Sequence, residues 1–360
     1  MTLTSTRRSD YLEWVKRRRD IRHSLSRSGA PRFDMRELAT SLDQILTSEP
    51  NEDGWPPLLE VIAARAGLTP AHVTLANACT GANHLAFRTL LDPGDHVVME
   101  TPVYEPLAAL ARYCGARLDF FPRHASNGWR VDPGDVARAL TPKTKLVVLS
   151  NLHNPTGCHD NDETIGRIAE HAQHNGAHVL VDEVYIEFLH AAGVRTAARL
   201  APNILITNSM TKTYGLDQLR MGWVLAEPRL LDRMRRLSHL YINNMAHPSE
   251  RLAWLALSRA DEILARANAV LDRNLAIADA FVASQPRLSW VKPRAGTCGM
   301  VHVDGLDVDE LSERLAREQA TGIVPGRFFD APSHFRLAWG VDTETVRAGL
   351  DALGLTLSRM

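Results

Sequence analysis

Short runs of aliphatic and β-branched residues alternate with helix-like segments through much of this 360-residue chain. Apolar runs without a polar residue at every second position are typical of strands that are buried on both faces. Strands that alternate with helices form a mostly parallel sheet that is covered by helices on both sides. The sequence therefore predicts an α/β architecture, with strands at 72–77, 96–100, 144–150, 178–184 and 204–209.

Two further segments extend this pattern. In NDETIGRIAEHAQHNG, apolar residues recur at helical spacing, acidic residues occupy the first turn and Gly176 follows the end, which predicts a crossover helix. From about Pro248 onward the pattern changes to one long helix through residues 251–283, followed by short strands and helices. This change predicts a separate α+β lobe at the C-terminal end.

Charge and composition favour a small-molecule partner. The chain has 41 Lys and Arg against 42 Asp and Glu, a net charge of −1, so it has no overall field to hold nucleic acid or an anionic membrane. No apolar run approaches the roughly 20 residues of a membrane span, and the basic N-terminus lacks an apolar secretory core. Four scattered cysteines without metal-like spacing suggest reduced thiols. We therefore expect a cytoplasmic protein that binds no metal, nucleic acid or membrane.

Unusual residues follow several of the predicted strands, where ligands bind in sheets of this kind. Thr80, Gly81 and Ala82 follow one strand and open a helix, so their N–H groups are candidates for binding a phosphate. An ordinary strand-to-helix turn explains Gly81 equally well. Asn154 in NLHNPTG and Asp182 in VDEVY follow later strands. A carboxylate that closes a buried strand needs a cationic partner, because burying an isolated charge is costly.

The segment SMTKTYGLDQLRMGW places Lys212 between two threonines, with Arg220 eight positions further on. Ser209 and Lys212 match the S-x-x-K motif of penicillin-binding enzymes, but the sequence contains neither S-D-N nor K-T-G to complete that site. A buried amine near a phosphate can instead act as a nucleophile and then as a base.

Six motifs in order resemble those of the fold-type I, class I/II aminotransferases that use pyridoxal 5′-phosphate: CTGANHL, TPVYEP, NLHNPTG, VDEVY, SMTKTYGLDQLRMGW and HFRLAWG. The resemblance covers about residues 25 to 345. It implies a three-layer α/β/α large domain at 46–245 with a mostly parallel seven-stranded sheet, and a smaller α+β domain at 246–360 to which residues 1–45 contribute. It also implies a homodimer with active sites at the interface.

Carried over residue by residue, the resemblance implies three catalytic residues. Lys212 would form a Schiff base with the cofactor aldehyde and then carry the substrate α-proton. Asp182 would pair with the ring nitrogen, which makes the ring an electron sink. Tyr185, together with Asn154, would hydrogen-bond the ring's phenolate oxygen.

The same resemblance assigns the remaining contacts. The phosphate would be held by Ser209, Arg220 and the backbone of Gly81 and Ala82, and Tyr104 would stack on the ring. Arg336 in HFRLAWG would bind the substrate α-carboxylate through a bidentate pair of hydrogen bonds, with Gly29 nearby. Arg27 and Arg32 are candidates for an acidic substrate group, but surface arginines are the favoured interpretation.

One feature departs from the family pattern. Relatives commonly carry a tyrosine that reaches the phosphate of the partner subunit, and the corresponding segment SEPNEDGW has none. Glu49 or Asn51 is one candidate for this position, and Asn243 with Asn244 is another.

Three functions remain open from the sequence. The first is transamination between an L-amino acid and a 2-oxo acid. The second is an elimination or cyclisation on an amino acid, like that of capreomycidine synthase. The third is a non-catalytic sensor domain that binds pyridoxal 5′-phosphate. The residues named above stabilise the carbanion that the first two share, so they do not separate these reactions.

Overall fold

The computed structural model describes residues 8–18, 20–38, 41–46 and 49–360, so the predicted N-terminal segment is only partly covered. The α-helices are α1 (Asp10–Arg17), α2 (Pro56–Ala66), α3 (Ala78–Leu90), α4 (Glu105–Tyr113), α5 (Pro133–Ala139), α6 (Asp162–His174), α7 (Pro228–Ser238), α8 (His247–Ser258), α9 (Ala260–Ser284), α10 (Val308–Gln319) and α11 (Thr343–Leu357). The strands are β1 (His23–Ser24), β2 (Val73–Asn77), β3 (His96–Thr101), β4 (Arg117–Pro122), β5 (Thr144–Ser150), β6 (His178–Asp182), β7 (Ile204–Ser209), β8 (Met221–Leu225), β9 (Leu288–Trp290), β10 (Cys298–Val303), β11 (Thr321–Gly322), β12 (Val324–Pro325) and β13 (His334–Ala338).

A seven-stranded sheet in the order β2-β8-β7-β6-β5-β3-β4 forms the centre of the larger part. β8 runs antiparallel to β2 and β7, and the other neighbouring strands pair in parallel. Successive side chains of a strand point to opposite faces. Thus Val147 and Leu149 of β5 join one apolar core, and Leu146 and Val148 join the other. The predicted three-layer, mostly parallel fold is confirmed.

The five predicted strands are present, and the predicted crossover helix is α6. The Asn161 side chain caps this helix by accepting a hydrogen bond from the Thr164 N–H. The prediction of one long helix through 251–283 is wrong, because the chain breaks at Arg259 into α8 and α9. Ala253 of α8 packs in the core of the large sheet, whereas α9 enters a second core from Leu271 onward. Ala260, Ile263 and Leu264 at the start of α9 still pack in the core of the large sheet, so α9 passes from one core to the other along its length.

The second core surrounds a four-stranded sheet in the order β12-β13-β10-β9, with antiparallel pairs throughout. The N-terminal segment joins this part of the molecule, because β1 pairs in parallel with β11. The exact domain boundaries stay a prediction. None of the described helices is long and apolar enough to cross a membrane.

Three strand ends meet at one edge of the large sheet. Ser150 of β5 is the register partner of Asp182 of β6, which in turn is the partner of Thr207 of β7. The parallel arrangement thus brings together residues that are distant in sequence, and this edge borders the candidate site.

Candidate active site

A cavity of about 210 Å³, here called the sheet-edge cavity, lies where β5, β6 and β7 end. Its lining residues are Ala78, Cys79, Thr80, Asn83, Tyr104, Leu107, Ser150, Asn154, Asp182, Val184, Tyr185, Ser209, Thr211, Lys212 and Arg220. Seven of the predicted site residues line this cavity: Tyr104, Asn154, Asp182, Tyr185, Ser209, Lys212 and Arg220. Gly29, Gly81, Ala82 and Arg336 do not line it.

Lys212 stands at the junction of two cavities. Together with Tyr104 it lines both the sheet-edge cavity and a second cavity of about 340 Å³, here called the N-terminal cavity. The Lys212 Nζ donates to Ser28 Oγ at 3.1 Å, so the N-terminal segment contacts the amine directly. Burial, together with the positive charges of Arg336 and Arg27, lowers the pKa of Lys212 to about 8. The amine is therefore neutral at a lower pH than an ordinary lysine.

Asp182 is buried at the end of β6 and is held by neutral donors. Its carboxylate accepts hydrogen bonds from Asn83 Nδ2 at 3.0 Å, the Val184 N–H at 3.2 Å and the Cys79 thiol at 3.4 Å. Thr207 Oγ1 donates to Asn83 Oδ1 at 2.6 Å and so fixes which way the Asn83 amide points. Burial raises the pKa of Asp182, and these hydrogen bonds oppose the rise.

Cys79 and Asn83 were not predicted as partners of Asp182. Within the described residues, the hydrogen bonds to Asp182 come from neutral groups, and the charge of Lys212 acts on it only through space. The cationic partner expected for Asp182, the cofactor ring nitrogen, stays a prediction. A signal was present, since Cys79 and Asn83 are four residues apart at the start of α3 and thus lie on one face of that helix.

Arg336 lies in β13 and is completely buried. Its Nη1 donates to Asn154 Oδ1 at 3.1 Å, and its Nη2 donates to Tyr11 Oη at 2.8 Å and to the Ser26 carbonyl at 2.9 Å. Its Nε is buried and has no hydrogen-bond acceptor among the described residues. Tyr11 and Ser26 were not predicted, because nothing near them in sequence indicates a contact with Arg336.

The two tyrosines of the site are protonated phenols. Tyr185 donates from its hydroxyl to the Ser28 carbonyl at 2.7 Å. Tyr104 precedes α4 and packs with its ring edge against Tyr11, with the ring centroids 5.8 Å apart. Burial raises the pKa of both hydroxyls, so neither ionises in the neutral range. Gly29 is buried against the backbone of Thr211 and Lys212.

The end of the sheet-edge cavity nearest α3 carries donors without acceptors. The Ala78 N–H donates to the Arg220 carbonyl at 2.9 Å, but α3 has no side-chain N-cap for the N–H groups of Cys79 and Thr80, which have no partner within the helix. Thr211 Oγ1 is buried and has no partner among the described residues. β8 packs closely here, since a Cβ on Gly222 would lie 2.5 Å from the Ala78 carbonyl carbon. An anion such as phosphate would satisfy these donors.

Gly81 and Ala82 were predicted as backbone ligands of that phosphate. They are the fourth and fifth residues of α3, past its unpaired first turn, and the cavity is lined by Ala78, Cys79 and Thr80 instead. The roles of Gly81 and Ala82 stay predictions, and the position of Cys79 and Thr80 suits that contact better.

The two candidate segments for the partner-subunit contact are neighbours in space. Asn51 Nδ2 donates to the Met245 carbonyl at 3.0 Å, and Asn244 Nδ2 donates to Asn51 Oδ1 at 3.2 Å. Glu49 accepts from Trp55 Nε1 at 2.7 Å and also pairs with Arg251. The two alternatives therefore describe one surface, and the choice among its residues stays open.

A family model described as aminotransferase class I and II matches residues 33–353. The chain belongs to this family. Capreomycidine synthase of Streptomyces vinaceus is 26% identical over 355 residues, which cover 95% of this chain and 91% of that protein.

Solved structures of two proteins are similar over nearly the whole length of this class I and II aminotransferase family member. A pyridoxal phosphate-dependent aminotransferase of Streptococcus suis superimposes with a TM-score of 0.89 at 26% identity, covering 99% of this chain and 98% of that one. The pyridoxal phosphate-dependent cyclase OrfR superimposes with a TM-score of 0.86 at 26% identity, covering 98% of each chain. The relatives therefore include both transaminating and cyclising enzymes.

The residues of the sheet-edge cavity fit the family's cofactor, pyridoxal 5′-phosphate. An amine, Lys212, and a buried carboxylate, Asp182, both face the cavity, and the unsatisfied donor of Thr211 lies beside the uncapped start of α3. These groups match an aldehyde, a ring nitrogen and a phosphate, respectively. The chain is thus a pyridoxal phosphate-dependent enzyme of the aminotransferase superfamily.

The lowered pKa of Lys212 has a measurable consequence in the cofactor-free protein. We expect the rate at which an amine-acylating reagent labels Lys212 to rise with pH to a midpoint near 8, instead of near the roughly 10.4 of an ordinary lysine. Peptide mass spectrometry across a pH series measures this rate. In Arg27→Gln the midpoint should move upward, because a positive charge that lowers the pKa is removed. A midpoint of an ordinary lysine in the unmodified protein would contradict the burial argument.

Proposed function

We propose that this protein is an aminotransferase that moves the amino group of an L-amino acid to a 2-oxo acid. The observation that carries the proposal is the position of Lys212, a buried amine with a lowered pKa at the junction of two cavities. The positive charge of Arg336 lowers the pKa of this amine, and the negative charge of Asp182 raises it. This is the residue set that binds an α-amino acid and removes its α-proton.

The residues of the site then take the following roles. When bound, pyridoxal 5′-phosphate supplies an aldehyde that condenses with amines and a ring that accepts the electron pair released at the substrate α-carbon. Lys212 is the amine that holds the cofactor, and once free it takes the α-proton at Nζ. Asp182 keeps a proton on the ring nitrogen. Arg336 binds the substrate α-carboxylate, which would replace Tyr11 and Ser26 as acceptors on Nη2.

The remaining assignments concern the cofactor's position. Asn154 and Tyr185 would hydrogen-bond the ring oxygen, and Tyr104 would stack on the ring. Ser209, Thr211, Arg220 and the N–H groups of Cys79 and Thr80 would bind the phosphate. Gly29 packs beside the bound substrate through its contact with Lys212.

Transamination requires fewer acid and base groups than elimination does. It needs one proton carrier, and Lys212 is sufficient. β-Elimination also needs an acid for the departing group, a role that Lys212 or a tyrosine of the N-terminal cavity would have to take in addition. Transamination therefore makes the smaller demand on these residues.

Cyclisation remains the second candidate because of one observation. The similarity to capreomycidine synthase extends over 95% of this chain, and the cyclase OrfR shares its fold over 98%. That similarity concerns the scaffold and the carbanion chemistry that the two reactions have in common.

The experiment that separates these functions uses the cofactor-loaded protein and single L-amino acids without an oxo acid. Transamination produces one equivalent of the corresponding oxo acid per active site and no ammonia, which chromatography with mass spectrometry quantifies. Release of ammonia, or a cyclised product, supports the second candidate. A protein that binds the cofactor but converts no amino acid in a broad panel would contradict both and favour the sensor function.

We also propose that the enzyme is a cytoplasmic homodimer. Four large apolar side chains are strongly exposed in two segments: Leu42 (69%), Leu46 (60%), Leu240 (80%) and Tyr241 (47%). Large exposed apolar side chains at neighbouring positions of a segment are typical of association surfaces. The four cysteines form no disulfide bond, which suits a reducing compartment, and fractionation of the native cells tests the location.

We expect analytical ultracentrifugation to give a dimer at micromolar concentration. Replacing both Leu240 and Tyr241 by serine should shift the equilibrium toward monomer, because apolar surface buried at the interface is lost. The matched control is Leu355→Ser, which changes another exposed leucine. A monomer for the unmodified protein would contradict the proposal.

A further inference from the structure

The N-terminal cavity begins at Lys212 and extends away from the sheet edge. Its walls come from α1, from the segment between Ile21 and Ser28, and from the residues at Gly322 and Ile323. Its volume of about 340 Å³ exceeds the roughly 210 Å³ of the sheet-edge cavity. A substrate whose α-carbon lies at Lys212 and whose α-carboxylate contacts Arg336 has this space available for its side chain.

The described lining of this cavity is basic, although each of its two arginines has a carboxylate within 4.0 Å that lies outside the lining. Arg18 and Arg27 line it, and none of the described lining residues is acidic. Arg27 Nη2 lies 4.0 Å from Asp217 Oδ2, which is beyond hydrogen-bonding distance. Arg32 Nη2 lies 3.7 Å from the same oxygen. Arg27 therefore faces the cavity with hydrogen-bonding capacity to spare.

Two further donors in the same wall lack acceptors. Trp14 Nε1 and Arg18 Nη1 are buried, and neither has a hydrogen-bond partner among the described residues. Arg18 is held in place by Glu313 on its other side and stacks on Trp14, with its guanidinium carbon 4.2 Å from the ring centroid. Buried donors without acceptors cost free energy.

Arg27 also acts electrostatically on the reacting amine. Its charge is one of the causes that depress the pKa of Lys212, so the two side chains share one environment. Arg32, five residues further on, is different: its side chain is 64% exposed and does not line the cavity. Arg27 and Arg32, which the sequence did not distinguish, thus differ in whether they line the cavity.

We propose that the N-terminal cavity binds the side chain of the substrate and that Arg27 is the residue that selects an anionic group on it. The substrate class is then an L-amino acid with a second acidic group, either a carboxylate or a phosphate. This inference rests on the proposed function only in assuming that an amino acid is the substrate. A basic side chain, such as that of arginine, would meet two like charges in the cavity and is selected against.

The test compares acids with their uncharged amides, which have nearly the same shape. The cofactor-loaded protein is mixed with L-glutamate or L-glutamine, and with L-aspartate or L-asparagine, and the rate of amino-acid conversion is measured for each. We expect the acid of at least one pair to react about 10- to 100-fold faster than its amide, the effect of one hydrogen bond to a charged group. O-Phospho-L-serine distinguishes a phosphate from a carboxylate preference.

Arg27→Gln should reduce this acid-to-amide ratio by roughly 10- to 100-fold. Arg32→Gln is the matched control and should leave the ratio unchanged, because Arg32 does not line the cavity. The inference is overturned if the unmodified protein converts L-glutamine or L-arginine as fast as the acids, or if the two variants behave alike.

A binding measurement keeps this inference separate from the proposed function. Isothermal titration calorimetry compares glutarate with its monoamide, neither of which has an amino group to transfer. A preference for glutarate that depends on Arg27 and not on Arg32 supports the substrate class even if no amino acid is converted. Equal binding of the two compounds contradicts it.

Discussion

Replacing Lys212 by alanine should lower the rate of amino-acid conversion by at least about 10⁴-fold, because one change removes both a nucleophile and a general base. Among the described residues, the side chain makes a single hydrogen bond, from Nζ to Ser28 Oγ. Its charged form is disfavoured by burial, as the lowered pKa shows. The loss of stability should therefore be small, and thermal unfolding should show a folded protein.

Covalent retention of the cofactor gives a readout that does not depend on turnover. The loaded protein is reduced with borohydride, denatured and weighed by mass spectrometry. The unmodified protein should gain the mass of one reduced cofactor on the peptide that contains Lys212, and Lys212→Ala should gain none. Lys143→Ala, which removes an exposed lysine, is the control. A cofactor that remains attached in Lys212→Ala would show that another amine carries it.

The second large effect is expected for Asp182→Asn, which keeps the shape of the side chain and removes its charge. The rate of α-proton removal should fall by about 10²- to 10³-fold, the effect of losing one preorganised electrostatic contact. Part of the loss would arise from Asn83, whose Nδ2 now donates to Asp182 Oδ2 and would face an amide instead of a carboxylate. The site would lose the charge that holds a proton on the ring nitrogen.

Exchange of the substrate α-proton with deuterated solvent, followed by nuclear magnetic resonance, measures this step directly. Because it reports proton removal alone, it is independent of whether transamination or cyclisation follows. Asp232→Asn changes a side chain that is 58% exposed and should leave the exchange rate unchanged. An unchanged rate in Asp182→Asn would remove the argument that this carboxylate supports charge on the ring.

Much of the fold follows from local pattern. The apolar strands that end at Ser150, Asp182 and Ser209 were recognisable because a strand buried on both faces must be apolar along its length. The residues that follow such strands reach one edge of a parallel sheet by topology alone, so Asn154, Asp182 and Lys212 were predicted to lie together and do so. Helix α6 was equally recognisable from its periodicity, its acidic first turn and Gly176 after its end.

The contacts that orient these residues were decided by the tertiary structure. Arg336 donates to Tyr11, 325 residues away, and Lys212 donates to Ser28, 184 residues away. No periodicity or spacing encodes such pairs, because they depend on how the N-terminal segment packs against both sheets. The break between α8 and α9 was not recognisable either, since the helical pattern continues through Arg259.

The sequence by itself thus determined the layered fold, the family and the group of residues at the sheet edge, because these depend on local hydrophobic pattern and on motif order. Tertiary packing alone decided that Asn83 and Cys79 support Asp182, and that Arg27 lines a cavity while Arg32 does not. The physical reason is that burial and hydrogen-bond partners arise from contacts between distant segments, and these contacts exist only in the folded chain.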